Sequence, residues 1–147
     1  MNKIIFRCDA SLSIGTGHVF RCRTLARCLR SLGVQSTFIC RNQPGHLIDL
    51  LLDEFPVLTL PYQPLVPCET FSGRQLYNAW LGCSQEIDSL QSLEALSKYG
   101  IRDFNWLVVD HYGIDILWEK YFLAGLDSYP LPQLFVIDDL ADRPHFA

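Results

Sequence analysis

The chain opens with Lys3-Ile4-Ile5-Phe6, a short apolar run. It passes directly into Arg7-Cys8-Asp9-Ala10-Ser11-Leu12-Ser13-Ile14-Gly15-Thr16-Gly17-His18, which is polar and glycine-containing. The first part predicts a buried strand over 3–6, and the polar part from 8 to 17 predicts its exit loop. From 18 to 32, Cys22, Leu25, Ala26, Leu29 and Leu32 recur at helical spacing, while Arg23, Arg27 and Arg30 fall together on the opposite face. That arginine stripe reads as a solvated surface, and Gly33 supplies the stop. Strand, glycine loop and amphipathic helix together make the first half of a β-α-β unit.

The same alternation continues outward. Residues 34–40 predict a second strand, 44–53 a short helix opening on Pro44, and 57–60 a third strand. The proline-dotted stretch 61–67 and the residues after it receive no element. Ile87, Leu90, Leu93 and Leu96 restore helical spacing over 84–99, and Gly100 closes that helix. Two further apolar runs, 106–109 and 134–137, end in Asp110-His111-Tyr112 and Asp138-Asp139, with a helix predicted over 114–126 between them. Short apolar strands alternating with helices predict an α/β fold. Its parallel sheet is covered by helices on both faces, Rossmann-like, with right-handed crossovers.

With 147 residues, 49% hydrophobic and 19% charged, the chain can bury a core as one domain. A formal charge of −4 argues against nucleic acid and anionic membrane as partners, since both attract basic surfaces. No apolar run reaches the roughly 18 residues that a membrane-crossing helix needs, so no membrane insertion is expected. The six cysteines, at 8, 22, 28, 40, 68 and 83, form no C-x-x-C pair and follow no secretory signal. Reduced thiols and a cytoplasmic location are expected, with Cys22 and Cys28 as small buried side chains. Trp80, Trp106 and Trp118 are likewise expected in the core.

Ligands of open parallel sheets bind beyond the carboxyl ends of the strands. Three predicted strands deliver polar residues there: Arg7, Asp9, Ser11 and the loop to His18 from the first, Asp110 and His111 from the fourth, Asp138 and Asp139 from the fifth. In Gly15-Thr16-Gly17-His18 the glycines let backbone approach a ligand, and the following helix presents free N–H groups to an anion. It is neither a Walker A loop nor a full dinucleotide fingerprint, because Arg21 and Cys22 stand where the last glycine would lie. The positive end of the helix dipole favours an uncharged imidazole at His18, which can take a proton from water. Asp110 and His111 are adjacent at a strand end and so point to opposite sides. Asp138 and Asp139 lack further ligands at recognisable spacing, so no metal is expected; His46 and His145 have no supporting context.

Three ordered motifs resemble one family. Arg7-Cys8-Asp9-Ala10-Ser11, Ile14-Gly15-Thr16-Gly17-His18, and Arg21 with Leu25 and Ala26 are similar to the opening of the pseudaminic-acid-pathway UDP-sugar hydrolases (PseG) and the related spore-coat polysaccharide proteins (SpsG). Leu107-Val108-Val109-Asp110-His111-Tyr112 and Val136-Ile137-Asp138-Asp139 resemble that family's two later strand ends. The stretch 61–79 has no counterpart in the resemblance. The resemblance implies a glycosyltransferase-B architecture of which this chain is the amino-terminal half, 1–147. A second α/β domain binds most of the nucleotide and is expected as an absent carboxyl-terminal domain or a partner chain.

The resemblance also implies the reaction: UDP is removed from a 2,4-diacetamido-2,4,6-trideoxy sugar by water attack at the anomeric carbon, with His18 as base. Arg7, Asp9, Ser11, Gly15, Gly17, Arg21, Asp110, His111 and Asp138 would contact or position the UDP-sugar substrate, and no cofactor is implied. Two alternatives stay open. One is a glycosyltransferase in which His18 activates an acceptor hydroxyl; the other is a non-catalytic sugar-recognition or interaction domain. An apolar wall left by an absent domain would favour self-association, and half a cleft would leave the isolated chain weakly active or inactive.

Overall fold

Five strands form one all-parallel sheet in the order β3-β2-β1-β4-β5 in the computed structural model, which describes residues 2–64 and 70–147. Pro67 and Cys68 lie outside the described residues. The elements are β1 (Lys3–Cys8), α1 (Gly17–Ser31), β2 (Gln35–Arg41), α2 (Ile48–Leu52), β3 (Val57–Leu60), α3 (Arg74–Trp80), α4 (Gln85–Lys98), β4 (Trp106–Asp110), α5 (Ile116–Ala124) and β5 (Gln133–Val136). This is the expected Rossmann-like α/β architecture, with helices on both faces. Among the described residues no helix is long and apolar enough to cross a membrane.

β1 is central and buried along all but its first residue, because helices cover both its sides. Its alternate residues feed two cores. On one face Phe6 stacks on Phe38 with ring centroids 4.8 Å apart, and Cys8, Val19, Cys22, Cys40 and Leu51 pack around them beneath α1 and α2. On the other face Ile5, Ile39, Leu107 and Val109 meet Leu96, Trp118 and Phe122 from α4 and α5.

Several local expectations are corrected. The helix foreseen over 44–53 shrinks to α2, because Gly45 adopts φ +87 and breaks the helical run. A Cβ at Gly45 would stand 2.6 Å from the Leu12 nitrogen, and Leu12 donates to the Pro44 carbonyl at 2.9 Å, so this turn is built against the first loop. α4 forms as expected but turns a different face inward: Asp88, Ser89, Ser92 and Leu96 are buried, while Ile87 and Leu90 are exposed. The arginine stripe of α1 is not simply solvated, since Arg23, Arg27 and Arg30 all reach Glu54, whose carboxyl falls to about 2, chiefly through Arg27 and Arg23. Cys28 is exposed, and of the three tryptophans only Trp118 is fully buried. α3 forms in a stretch to which periodicity assigned no element.

Candidate active site

β1 leads away to β2 and β3 on one side, and the chain returns to β4 and β5 on the other, so the order reverses between β1 and β4. The crevice of such a sheet opens beyond the carboxyl ends of those two strands. Cys8 and Asp110 are register partners there. Side chains alternate along a strand, so Asp110 follows Val108 to the α1 face, while His111 goes to the α4 and α5 face. Two separate polar clusters result.

The cluster on the α1 face centres on His18, 7% exposed. Its Nδ1 lies 2.6 Å from Oδ1 of Asp110, which is fully buried. Burial pushes the Asp110 carboxyl up, but hydrogen bonds from Arg21 and His18 outweigh burial and leave it below the ordinary carboxylate range. An ionised carboxylate only accepts, so Nδ1 carries a proton and donates it to Asp110. Among the described residues Nε2 has no hydrogen-bond partner. Arg21 forks Asp110, through Nε to Oδ2 and through Nη2 to Oδ1 at 2.6 Å, and its Nη1 reaches Asp139 at 2.6 Å. Tyr112 donates to the same Asp139 oxygen at 2.8 Å and meets the His18 ring edge-on at 4.5 Å. Tyr77 and Trp80 of α3 pack around Tyr112, continuing an aromatic wall away from His18.

The loop before His18 is held by its own chemistry. Ser11 Oγ accepts from the Ser13 and Ile14 nitrogens, and the Gly15 nitrogen donates to the Ser11 carbonyl at 2.8 Å. Gly15 takes φ +81, which favours glycine. Thr16, the N-cap of α1, makes no side-chain cap, so its hydroxyl does not occupy the first-turn N–H groups.

The second cluster is buried under α4 and α5. Arg7 forks Asp88, through Nε at 3.0 Å and Nη2 at 2.7 Å, and also binds Asp9. Asp88 takes a further bond from Arg41 at 2.7 Å and one from the Trp118 indole at 2.8 Å. Asp9 receives the Arg41 backbone nitrogen and His111 Nε2. Burial raises the Asp9 and Asp88 carboxyls, yet the guanidinium of Arg7 holds Asp9 well below and Asp88 below the ordinary range. His111 accepts from the Gly113 nitrogen at Nδ1, so both its nitrogens are occupied, and burial pushes its pKa down despite Asp9.

The structure therefore brings His18, Arg21 and Asp110 together at the mouth of the Gly15 and Gly17 loop. It does not bring Arg7, Asp9 or His111 to them: these three are fully engaged in the buried layer and have no free donor or acceptor to meet a substrate. Ser11 shapes the loop. Asp138 turns away to Arg143 and His145, and its neighbour Asp139 takes the place beside Arg21. His145, with no context in the sequence, bridges Glu119 and Asp138. Sequence reasoning placed Asp139 at the rim but chose Asp138 over it as the binding residue, and it missed Tyr112, whose adjacency to Asp110 and His111 was the available signal. Asp88 and Arg41 carried no signal, because nothing in one sequence pairs a helix aspartate with a strand arginine 47 positions earlier.

Three hollows of about 360, 600 and 320 Å³ lie away from this cluster, lined by residues such as Lys3, Gln35, Arg102, Asp103 and Ser128. They sit towards the amino ends of the strands, where no histidine–carboxylate pair is placed. Among the described residues no group of three or more His, Cys, Asp and Glu is arranged to hold a metal ion. Compared with known proteins, the chain matches no family model and no curated protein.

Proposed function

We propose that this chain carries the base of a nucleotide-sugar hydrolase, which removes UDP from a UDP-linked 2,4-diacetamido-2,4,6-trideoxy sugar. One observation carries the reading: an imidazole at the mouth of a glycine loop has Nδ1 held by a buried carboxylate and Nε2 unpartnered. Such a pair is a fixed proton acceptor, the arrangement general-base catalysis needs. Water oxygen bonds to the anomeric carbon as its proton passes to Nε2. The bond from that carbon to the diphosphate oxygen breaks, and UDP leaves with the electron pair. Asp110 then stabilises the imidazolium, and the first-turn N–H groups of α1 attract sugar or phosphate oxygens. Gly17 supports this reading too: its φ is not positive and a Cβ there would meet nothing within 4 Å, so no intramolecular contact demands glycine. In this proposal a second α/β domain completes the cleft around the nucleotide.

The test is UDP release from UDP-linked diacetamido sugars, with and without acceptor, by this chain and by any longer gene product that contains it. His18→Asn should remove turnover and preserve the fold. Release that requires an acceptor would reassign the protein as a transferase. No release by the longer product, or undiminished release by His18→Asn, would refute the role of His18.

A further inference from the structure

Arg21 sits one helical turn from His18, so it faces the same crevice, where two carboxylates hold its guanidinium. It forks both oxygens of Asp110 and is held from the other side by Asp139, itself fixed by the Tyr112 hydroxyl. The groups facing His18 are therefore Asp110 from β4, Arg21 from its own helix, Tyr112 from the loop after β4, and Asp139 from the loop after β5.

Consider Asp110 without Arg21. A lone buried carboxylate 2.6 Å from an imidazole strongly favours imidazolium. A histidine already protonated cannot take a proton from water. With a guanidinium forked onto the same carboxylate, the charge of Asp110 is met directly, although Asp139 shares that guanidinium, and Asp110 still fixes the tautomer while its pull on the ring proton is weakened.

We propose that Arg21 is a positioning residue that neutralises Asp110 and thereby keeps His18 available as a proton acceptor. Asp139 and Tyr112 anchor the guanidinium in its fork. The inference rests on the reading of His18 as a base, but its test needs no turnover, so the two can fail separately.

The measurement is an NMR titration of the His18 ring in the chain, with the half-buried His46, which has no contact with this cluster, as internal reference. Arg21→Met and Arg21→Gln remove the charge, and each should raise the His18 midpoint by about one pH unit or more. Two chargeless variants guard against the loss of one to misfolding. Arg21→Lys keeps a cation beside Asp110 and should stay near the wild-type midpoint. In the longer gene product the acid limb of the pH–rate profile should move with the titration. An unchanged or lowered midpoint in Arg21→Gln, or a rise in Arg21→Lys equal to that in Arg21→Gln, overturns the proposal.

Discussion

At the residue scale, the protein separates two histidines by how many of their nitrogens are occupied. His111 has both engaged, by Asp9 and by the Gly113 nitrogen, and is buried with its pKa pushed down. His18 has one engaged and one unpartnered. Chemistry follows the free lone pair, so the carboxylate opposite the occupied nitrogen decides the outcome. In Asp110→Asn the side chain can present an amide N–H to Nδ1, which moves the ring proton to Nε2. The expected result is an interchange of the protonated and unprotonated ring-nitrogen signals of His18, seen by ¹⁵N NMR. In the proposed hydrolase, turnover should drop about 100-fold or more. A variant whose ring retains the wild-type tautomer would show that Asp110 does not set it.

At the element scale, four elements are tied together by one buried side chain. Asp88 of α4 accepts from Arg7 of β1, Arg41 of β2 and Trp118 of α5. This explains why α4 turns Asp88 inward: two buried guanidinium groups need a counter-charge, and burying Asp88 satisfies that need ahead of Ile87 and Leu90. Removing one partner of a buried ion network leaves the others unpaired, which costs more than the network contributes over an apolar core. Asp88→Ala should therefore destabilise the fold by about 3–5 kcal/mol in urea unfolding, because Arg41 loses its carboxylate and Arg7 keeps only Asp9. By contrast, Arg27→Ala, which removes an exposed partner of Glu54, should leave the urea midpoint close to the wild-type one. A loss at Asp88 as small as that at Arg27 would mean the network does not clamp the elements.

At the scale of the whole molecule, the buried titratable groups make folding pH-dependent in one direction. Asp9, Asp88 and Asp110 have folded-state pKa values below the ordinary carboxylate range, so the unfolded chain binds protons first as pH falls. Their stabilisation is fully present above the unfolded value of about 4 and is lost as pH falls towards the depressed folded values. His111 works the same way: its folded value is lowered, so its contribution begins to be lost below the unfolded value of about 6.5. Urea midpoints should therefore decline gently from about pH 6.5 and steeply below about pH 4. A flat profile between pH 6 and 3 would contradict the ion network as a stabilising unit.

The order of elements other than α3 was legible from the chain itself. Apolar runs such as 106–109 and the spacing of Cys22, Leu25, Ala26 and Leu29 are local periodicities, and local periodicity is set by backbone geometry alone. The placement of His18 and Asp110 at one rim followed from strand direction, because a parallel sheet brings every carboxyl end to the same edge. The partners were a different matter. That Asp9 and Arg7 would be consumed by Asp88, that Asp139 and not Asp138 would reach Arg21, and that α4 would turn Asp88 inward all depend on which face of the sheet each residue takes. They also depend on which charge waits there from an element tens of residues away. Pairing across such separations is decided by packing in three dimensions, where desolvation of a buried charge outweighs the hydrophobic pattern of the helix that carries it.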